Sequence, residues 1–335
     1  MPEEVSYTTE EVAKLLKISK LKVYDLIKKG ELPSYRVGKQ MRVDASDLEL
    51  YKRRSREGGA PPPLPLPQAP SAGQGLPPWQ QAPGTNRAGL RDIVITGQDM
   101  SLDILAQHLE RSSPSMRPLR SYAGSLDSLI SMYRGESDIV STHLLDGDTG
   151  AYNLPYVRRL LVGLPFLIVR LLTRSAGLYV AKGNPKGITG WEDLARSGYV
   201  LVNRERGSGA RVLLDEQLRL LGLSSRGIEG YRTEETSHLA VAAKVARGEA
   251  DIGVGTLKAA KIVEGVDFIP LIEEEVDLVM IRSEENEGWI QSVLGILRSP
   301  AFRRELSAIH GCDTRKAGTI LYEAEYRQDR SASAE

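Results

Sequence analysis

The stretch NRERGSGARVLLDEQLRLLGL, residues 203–223, joins a glycine-containing turn directly to a helical pattern. Arg204 and Arg206 precede the Gly-Ser-Gly turn at 207–209, and the residues from Arg211 onward have the apolar spacing of an amphipathic helix. A turn of this kind directs the first backbone N–H groups of the helix, and the positive end of its dipole, toward one point. The stretch therefore predicts an anion-binding helix start.

Length and composition set the limits within which this anion must be identified. The 335 residues are enough for two or three domains, and 44 Lys+Arg balance 44 Asp+Glu, so the net charge favours no class of partner. The single cysteine, Cys312, excludes an intramolecular disulfide and fits a reducing compartment. The longest apolar run, residues 160–169, is too short to cross a bilayer and is interpreted as a buried strand pair. The charged, amphipathic start is unlike a signal peptide, so we expect a cytoplasmic protein with no membrane partner.

The distribution of charge and proline divides the chain into segments. Between Lys17 and Arg56, twelve Lys/Arg face five Asp/Glu, which is the electrostatic pattern of a nucleic-acid contact. Half of the 18 prolines fall within residues 58–88, a composition typical of an extended linker. We therefore predict a DNA-binding domain at 1–57, the linker at 58–88, a two-lobed ligand-binding domain at 89–312 and a partly disordered C-terminal extension at 313–335.

The first segment has the pattern helix, tight turn, helix, hairpin, helix. A capped helix begins near Thr8, Ser19 can cap a second helix at 20–29, a hairpin surrounds residues 38–39, and a third helix covers 46–54. This order matches motifs in which the second helix enters the DNA major groove. The residues expected to contact DNA are Ser19, Lys20, Lys22, Tyr24, Lys28, Arg36, Lys39 and Arg42.

The segment TTEEVAKLLKISKLKVYDLIKKGELPSYRVGKQMRVDASDLELY resembles the excisionase-type, MerR-like winged helix-turn-helix family. The shared features are the T-x-E-x-A opening, the G-x-L-P junction after the second helix and the R-V-G-x-x-x-R wing. The resemblance covers about 45 residues and implies a small α+β domain that binds double-stranded DNA.

From Leu90 onward, short apolar runs alternate with helical patterns, which indicates an α/β fold with a largely parallel sheet. The pattern also repeats internally. One helix begins at Ser125 and leads into RGESDIV at 134–140, while another begins at Ser237 and leads into RGEADIGV at 247–254. Two similar lobes with serine-containing helix starts would enclose a crevice lined by helix N-termini.

Three phrases of this region, at 124–146, 188–218 and 237–260, resemble the type 2 periplasmic-binding-protein-like domain, in its version fused behind a helix-turn-helix. The resemblance covers about residues 90–310. It implies a molybdate- or tungstate-responsive transcriptional regulator that senses its oxyanion without a further cofactor or metal.

The candidate ligand-binding residues follow from their positions at strand ends and helix starts. They are Thr96, Gly97, Ser125, His143, Arg204, Ser208, Gly209, Arg211 and Ser237. Each serine could instead act only as a helix cap, His143 could be purely structural, and Arg211 could pair with Asp215 on an exposed face. Arg204 is the stronger candidate because it stands where a parallel strand ends.

Enzyme patterns do not fit the sequence. RGSGA lacks the first glycine of G-x-S-x-G, the turn does not match a nucleotide P-loop, and the four histidines lack metal-ligand spacing. The acidic run Glu273–Glu275 with Asp277 is interpreted as a solvated strand edge. We expect no enzyme activity; a sensor of a small organic or amino acid remains the alternative, although three phenylalanines offer little for stacking.

Overall fold

The computed structural model describes residues 6–28, 32–37, 40–45, 48, 51, 90–196 and 198–324. The chain separates into two compact units, residues 1–74 and 75–335, and each is described by itself. The predicted linker at 58–88 lies entirely outside the described residues, as does most of the predicted third helix at 46–54.

The first unit begins with strand β1 (Ser6–Thr8), helix α1 (Thr9–Leu16) and helix α2 (Lys20–Lys28), and continues with the strands β2 (Tyr35–Val37) and β3 (Gln40–Asp44). Thr8 and Glu11 form a reciprocal capping box at α1, and Ser19 accepts the Lys22 N–H at the start of α2. Strand β3 pairs antiparallel with β2, which confirms the hairpin, and also with β1. Val12, Val23 and Val43 are fully buried in the small core that joins these elements.

The second unit starts with the elements of its first lobe. These are β4 (Arg91–Thr96), α3 (Ser101–Ser112), β5 (Met116–Ser121), α4 (Ser125–Tyr133), β6 (Ile139–Thr142) and α5 (Leu154–Leu160). The long strand β7 (Phe166–Ala181) then leads into the second lobe. That lobe contains β8 (Leu201–Arg204), α6 (Gly209–Leu220), β9 (Glu234–Glu235), α7 (His238–Ala246), β10 (Ile252–Thr256) and α8 (Leu257–Ile262).

A second long strand, β11 (Val266–Ile281), returns the chain to the first lobe, which α9 (Glu287–Arg298), α10 (Pro300–Ser307), β12 (Cys312–Asp313) and β13 (Ile320–Glu323) complete. The strand order is β5-β4-β6-β11-β7-β10-β8-β9, with β12 and β13 added on β7. Strands β4, β5 and β6 are parallel to one another, as are β8, β9 and β10. The structure thus confirms a two-lobed α/β body, with β7 and β11 running antiparallel through both lobes.

The internal repeat predicted from the sequence corresponds to equivalent elements. Helix α4 leads into β6 in the first lobe, and α7 leads into β10 in the second. Each strand joins its lobe's parallel set and also pairs antiparallel with a long crossing strand, β6 with β11 and β10 with β7. The two copies therefore place the N-terminus of α4 after the carboxyl end of β5 and the N-terminus of α7 after the carboxyl end of β9.

Two local predictions are wrong. Residues 160–169 are not a strand pair, since they comprise the end of α5, a turn and the start of β7; the glycine and proline at 163 and 165 form the connection. The body also does not end at residue 312. Strands β12 and β13 both pair with β7, so the sheet of the body extends to Glu323, and residues 325–335 lie outside the described part of the chain.

Candidate functional site

The crevice between the two lobes lies where strands end and helices begin. In the first lobe β4 ends at Thr96 and β6 at Thr142, and in the second lobe β8 ends at Arg204 and β10 at Thr256. Ligands of open α/β sheets bind in the crevice outside the carboxyl ends of such strands. The strand ends at Thr96 and Arg204, which the sequence analysis selected, both lie at this crevice.

Contacts between the lobes close this crevice on one side. The Leu126 N–H donates to the Gly207 carbonyl at 3.0 Å, and the Gln98 side chain donates to Glu205 at 2.8 Å. Gly209 lies so close to His143 that an added Cβ would be 2.0 Å from the imidazole Cδ2. Any larger residue at 209 would separate the two lobes here, because its Cβ would also lie 2.7 Å from the His143 backbone carbonyl, which a side-chain rotation cannot move.

Arg204 is a charged residue in the wall of the crevice that the second lobe forms, and it is only 2% exposed. Its guanidinium donates to both oxygens of Glu205 at 2.8 Å and to Gln98 Oε1 at 2.6 Å. It also donates to the carbonyls of Glu235 and Thr236. Burial raises the pKa of Glu205, but the hydrogen bonds from Arg204 and Gln98 outweigh it and leave that pKa below its usual value. Arg204 therefore joins the two lobes through Gln98.

Ser125 and His143 form the neutral wall of the first lobe. Ser125 is 2% exposed, and its Oγ lies 3.3 Å from His143 Nδ1. Burial, the largest effect, lowers the pKa of His143 to about 4, with Arg174 and Arg204 acting in the same direction and Glu274 and Asp99 opposing. At neutral pH the imidazole is thus uncharged and offers one donor and one acceptor. Gly124, not Ser125, is the N-cap of α4, so the capping alternative does not apply to the Ser125 hydroxyl.

The other two serines do cap their helices. Ser208 Oγ accepts the Arg211 N–H at 3.3 Å and donates to the Glu205 carbonyl at 2.9 Å. Ser237 Oγ accepts the Ala240 N–H at 3.1 Å and is exposed. The first N–H groups of α6 and α7, beginning with Gly209 and His238, have no acceptor within their own helices.

The histidine His238 is a crevice group that we did not predict as a ligand contact. Its Nδ1 is buried and has no hydrogen-bond partner among the described residues, and the same holds for Thr142 Oγ1 at the end of β6. Burial first, then Arg204, Arg174 and His143, lower the pKa of His238 well below its usual value. Buried polar atoms without partners are costly and call for a ligand or a water. The available signal was position, since His238 directly follows the cap Ser237.

Thr96 and Gly97 lie at the predicted crevice edge, but their polar groups bind within the first lobe. The Thr96 hydroxyl is 2.6 Å from Ser137 Oγ, and the Gly97 N–H donates to the Ser121 carbonyl at 3.0 Å. The Gly97 carbonyl accepts from Arg120. These two residues shape the end of β4.

Arg211 is buried. The sequence alone left open, as an alternative to a ligand contact, that Arg211 pairs with Asp215 on an exposed helix face. The pairing with Asp215 is present, at 3.1 Å, and a second carboxylate, Glu234, lies 2.9 Å away. The guanidinium also stacks 4.4 Å from the Tyr231 ring centroid and donates to the Arg204 carbonyl. Arg211 therefore supports the strand end that carries Arg204.

A buried charge cluster occupies the crossing strands at the base of the crevice. Arg174 on β7 pairs with Asp99 and, at 2.6 Å, with Glu274 on β11. Burial raises the pKa of Asp99, but Arg174 and Lys258 outweigh it and bring that pKa to about 2. The interpretation of residues 273–277 as a solvated edge is wrong for Glu274 and Asp277, each 1% exposed, because Arg174 and Arg170 neutralise them. Sequence reasoning missed this cluster because its members are far apart in the chain.

The residues predicted to contact DNA are described only in part. Ser19 caps α2, Lys20 pairs with Glu10 at 2.5 Å, and Arg42 donates to Ser6 Oγ at 3.1 Å. Lys22 is exposed on α2. Lys39 lies outside the described residues; Tyr24, Lys28 and Arg36 have described backbone only, on α2 and β2.

Within the described ranges, no group of three or more His, Cys, Asp or Glu side chains is arranged to hold a metal ion. No described helix has the length and apolar character needed to span a membrane.

A helix-turn-helix unit followed by a two-lobed body with a polar crevice defines a class of proteins that combine DNA binding with ligand binding. The chain belongs to the PBP superfamily domain family, whose model matches residues 106–298, and the family described as helix-turn-helix domain matches residues 6–56. The one is a substrate-binding type and the other a DNA-binding type, and neither is an enzyme family.

Two bacterial proteins are similar to this chain in sequence. The protein YvgK of Bacillus subtilis, described as uncharacterized, is 49% identical over 323 residues, which cover 96% of this chain and all of YvgK. A Clostridium pasteurianum protein encoded in the 5′ region of the ferredoxin 2Fe-2S gene is 41% identical over 112 residues, 33% of this chain and 99% of that protein.

Similar solved structures include two transporter proteins. One is a phosphate ABC transporter substrate-binding protein of Clostridium perfringens with bound phosphate, with a TM-score of 0.47 and 15% identity over 67% of this chain and 99% of that one. The other is the tungstate ABC transporter of Geobacter sulfurreducens, with a TM-score of 0.49 and 12% identity over 65% and 98% of the two chains.

Proposed function

We propose that this protein is a cytoplasmic, one-component transcriptional regulator whose crevice senses a small tetrahedral oxyanion, with molybdate or tungstate as the leading ligand. The observation that carries the proposal is the convergence of polar groups between the lobes: the Ser125–His143 pair, the unpartnered His238 Nδ1, and the N-termini of α6 and α7. Neutral donors and helix N-termini bind oxyanions without requiring a large net charge. No cofactor enters this mechanism.

The buried charges are consistent with a ligand held mainly by hydrogen bonds. Arg204 is balanced by Glu205, and Arg174 by Asp99 and Glu274. An oxyanion would therefore meet preorganised donors in a crevice with little excess charge, and the geometry of four equivalent oxygens would distinguish it from a planar carboxylate.

Coupling of the crevice to DNA needs an oligomer. A single small winged domain on a long linker would sense lobe closure weakly, and such domains usually gain affinity by reading paired half-sites as a dimer. We propose a homodimer or higher homo-oligomer assembled through the body, bound to an inverted repeat.

The full chain, with duplexes selected from a random library, provides the test. Duplex affinity should change by about 5- to 150-fold when molybdate is added, the usual range of allosteric coupling, and bound duplex should shift molybdate affinity by the same factor. Replacing Lys22 with Gln should reduce the slope of log affinity against log salt concentration by about one unit. The same change at Lys14, on α1, should leave that slope unaltered.

Absence of duplex binding at low salt would refute the regulator. Duplex binding that is indifferent to saturating oxyanion, by a chain that light scattering finds monomeric, would refute the coupling. If calorimetry detects binding of amino acids but not of oxyanions, the ligand of the crevice is a small organic or amino acid and the oxyanion proposal is wrong.

A further inference from the structure

A groove rich in arginine lies at the seam between the lobes and is lined mostly by residues of the second lobe. Its volume is about 510 Å³, and four of its lining residues are arginines. One carboxylate, that of Asp215, lines it as well. Neither Ser125 nor Arg204 lines the groove, so it is separate from the proposed oxyanion site.

The four arginines differ in how far their charge is balanced. Arg211 is fixed by Asp215, Glu234 and the Tyr231 ring, and forms a rigid wall. Arg226 and Arg232 are exposed and, among the described residues, have no ion-pair partner. Arg206 is also exposed, and its guanidinium Nε lies 3.8 Å from the Glu234 carboxylate. The groove thus carries positive charge that its own carboxylates do not compensate.

Arginine side chains grouped around one groove match a particular chemistry. The planar guanidinium binds phosphate oxygens through two parallel hydrogen bonds, and several guanidinium groups suit adjacent phosphates better than one small monoanion. Leu126 and Val212 add apolar surface beside the arginines, so the groove can also accept a ligand body attached to the phosphates.

The groove also lies across the seam between the lobes. Leu126 of the first lobe and Gly207 of the second both line it, and the hydrogen bond between them, 3.0 Å long, holds the seam closed. An occupant would therefore contact both lobes at once. A ligand that binds the closed arrangement better than the open one shifts the population toward closure.

We propose that this groove is a second anion site, which binds a pyrophosphate group, either free or as part of a nucleoside diphosphate, and thereby favours the closed arrangement of the lobes. The groove would bind a pyrophosphate group, while the crevice binds a different ligand. The proposal does not depend on which ligand the crevice binds.

Calorimetric titration of the full chain with sodium pyrophosphate, and separately with ADP, tests the site without any crevice ligand. The double variant R226Q/R232Q should bind pyrophosphate at least about tenfold more weakly than the unaltered chain. Arg304→Gln, an exposed arginine on α10 outside the groove, is the matched control and should change affinity less than about twofold. Equal affinity for both probes assigns the site to free pyrophosphate, and tighter ADP binding assigns it to a nucleotide.

Absence of binding by both probes at millimolar concentration, or the same loss in the Arg304 control, overturns the site. Hydrogen exchange tests the seam: the Leu126 amide should exchange more slowly when pyrophosphate is bound, and this slowing should be lost in R226Q/R232Q. If the Leu126 amide exchanges at the same rate when the groove is saturated with pyrophosphate, the proposal that binding favours the closed lobes is wrong.

Discussion

The two lobes begin matching helices with serine, yet they use the serine differently. In the first lobe Ser125 is the first residue of α4, makes no capping bond and contacts His143. In the second lobe Ser237 precedes α7, is exposed and caps it through the Ala240 N–H. A repeated sequence pattern therefore fixes where a helix begins, while the surrounding side chains decide what the hydroxyl does.

The two walls also differ in charge. The first lobe offers a hydroxyl and a neutral imidazole, whereas the second offers Arg204 together with Glu205. We expect the second wall to hold the closed structure together and the first to contribute more to ligand affinity. The predictions that follow test this division.

The largest effect on stability is expected for Arg204→Ala. The change leaves the half-buried Glu205 and two backbone carbonyls without their donor, which should lower the free energy of unfolding by about 3 kcal/mol. Urea denaturation measures it. Arg206→Ala is the control from the same loop; its side chain is 80% exposed, and its removal should cost less than about 0.5 kcal/mol. Similar losses in the two variants would contradict the assigned role of Arg204.

The next effect is a dependence of stability on pH. The pKa of His143 is about 4 in the folded chain and about 6.5 when unfolded, so the unfolded chain binds more protons between these values. The stability that the neutral imidazole contributes is present above pH 6.5 and is lost as the pH falls toward 4, by on the order of 2 kcal/mol. Urea midpoints between pH 7 and pH 4 should fall less steeply in His143→Gln than in the unaltered chain. Equal slopes in His143→Gln and in the unaltered chain would refute the assignment.

The smallest effect is expected at the capping serine. Ser237→Ala removes the acceptor of the Ala240 N–H and should lower stability by about 1 kcal/mol, with oxyanion affinity nearly unchanged. Ser237→Asn, which can also cap, should restore most of that loss. A large loss of oxyanion affinity in Ser237→Ala would show that the second serine is also a ligand contact.

Much of the fold was predictable because its signals are local. The capping residues Thr8 and Ser19, the glycine that ends each repeat helix, and the apolar runs of β4, β6 and β10 each depend on a few neighbouring residues. The long strands β7 and β11 were not predicted as continuous, because Arg170, Arg174 and Glu274 interrupt their apolar pattern. Those charges are buried only because strands about 100 residues apart pair and neutralise one another.

The site was predictable in position and less so in detail. Ser125, His143, Arg204 and the 207–209 turn, which were selected from strand ends and helix starts, lie at the contact between the lobes. Their contact with a ligand stays a prediction. Two details could not be predicted from local sequence, because they depend on residues that are distant in the chain. They are the hydrogen bond between Thr96 and Ser137 and the lack of a partner for His238 Nδ1 among the described residues.

The measurement that tests the central claim most directly is a calorimetric titration of the full chain, and of its Ser125→Ala and Ser237→Ala variants, with molybdate, tungstate, sulfate and phosphate. We predict that at least one oxyanion binds the unaltered chain without added metal. Ser125→Ala should weaken it about ten- to hundredfold, since one hydrogen bond to a charged acceptor is worth about 1.5–3 kcal/mol, while its thermal midpoint stays close to that of the unaltered chain. An absence of oxyanion binding, or equal affinities in the unaltered chain and Ser125→Ala, would contradict the account.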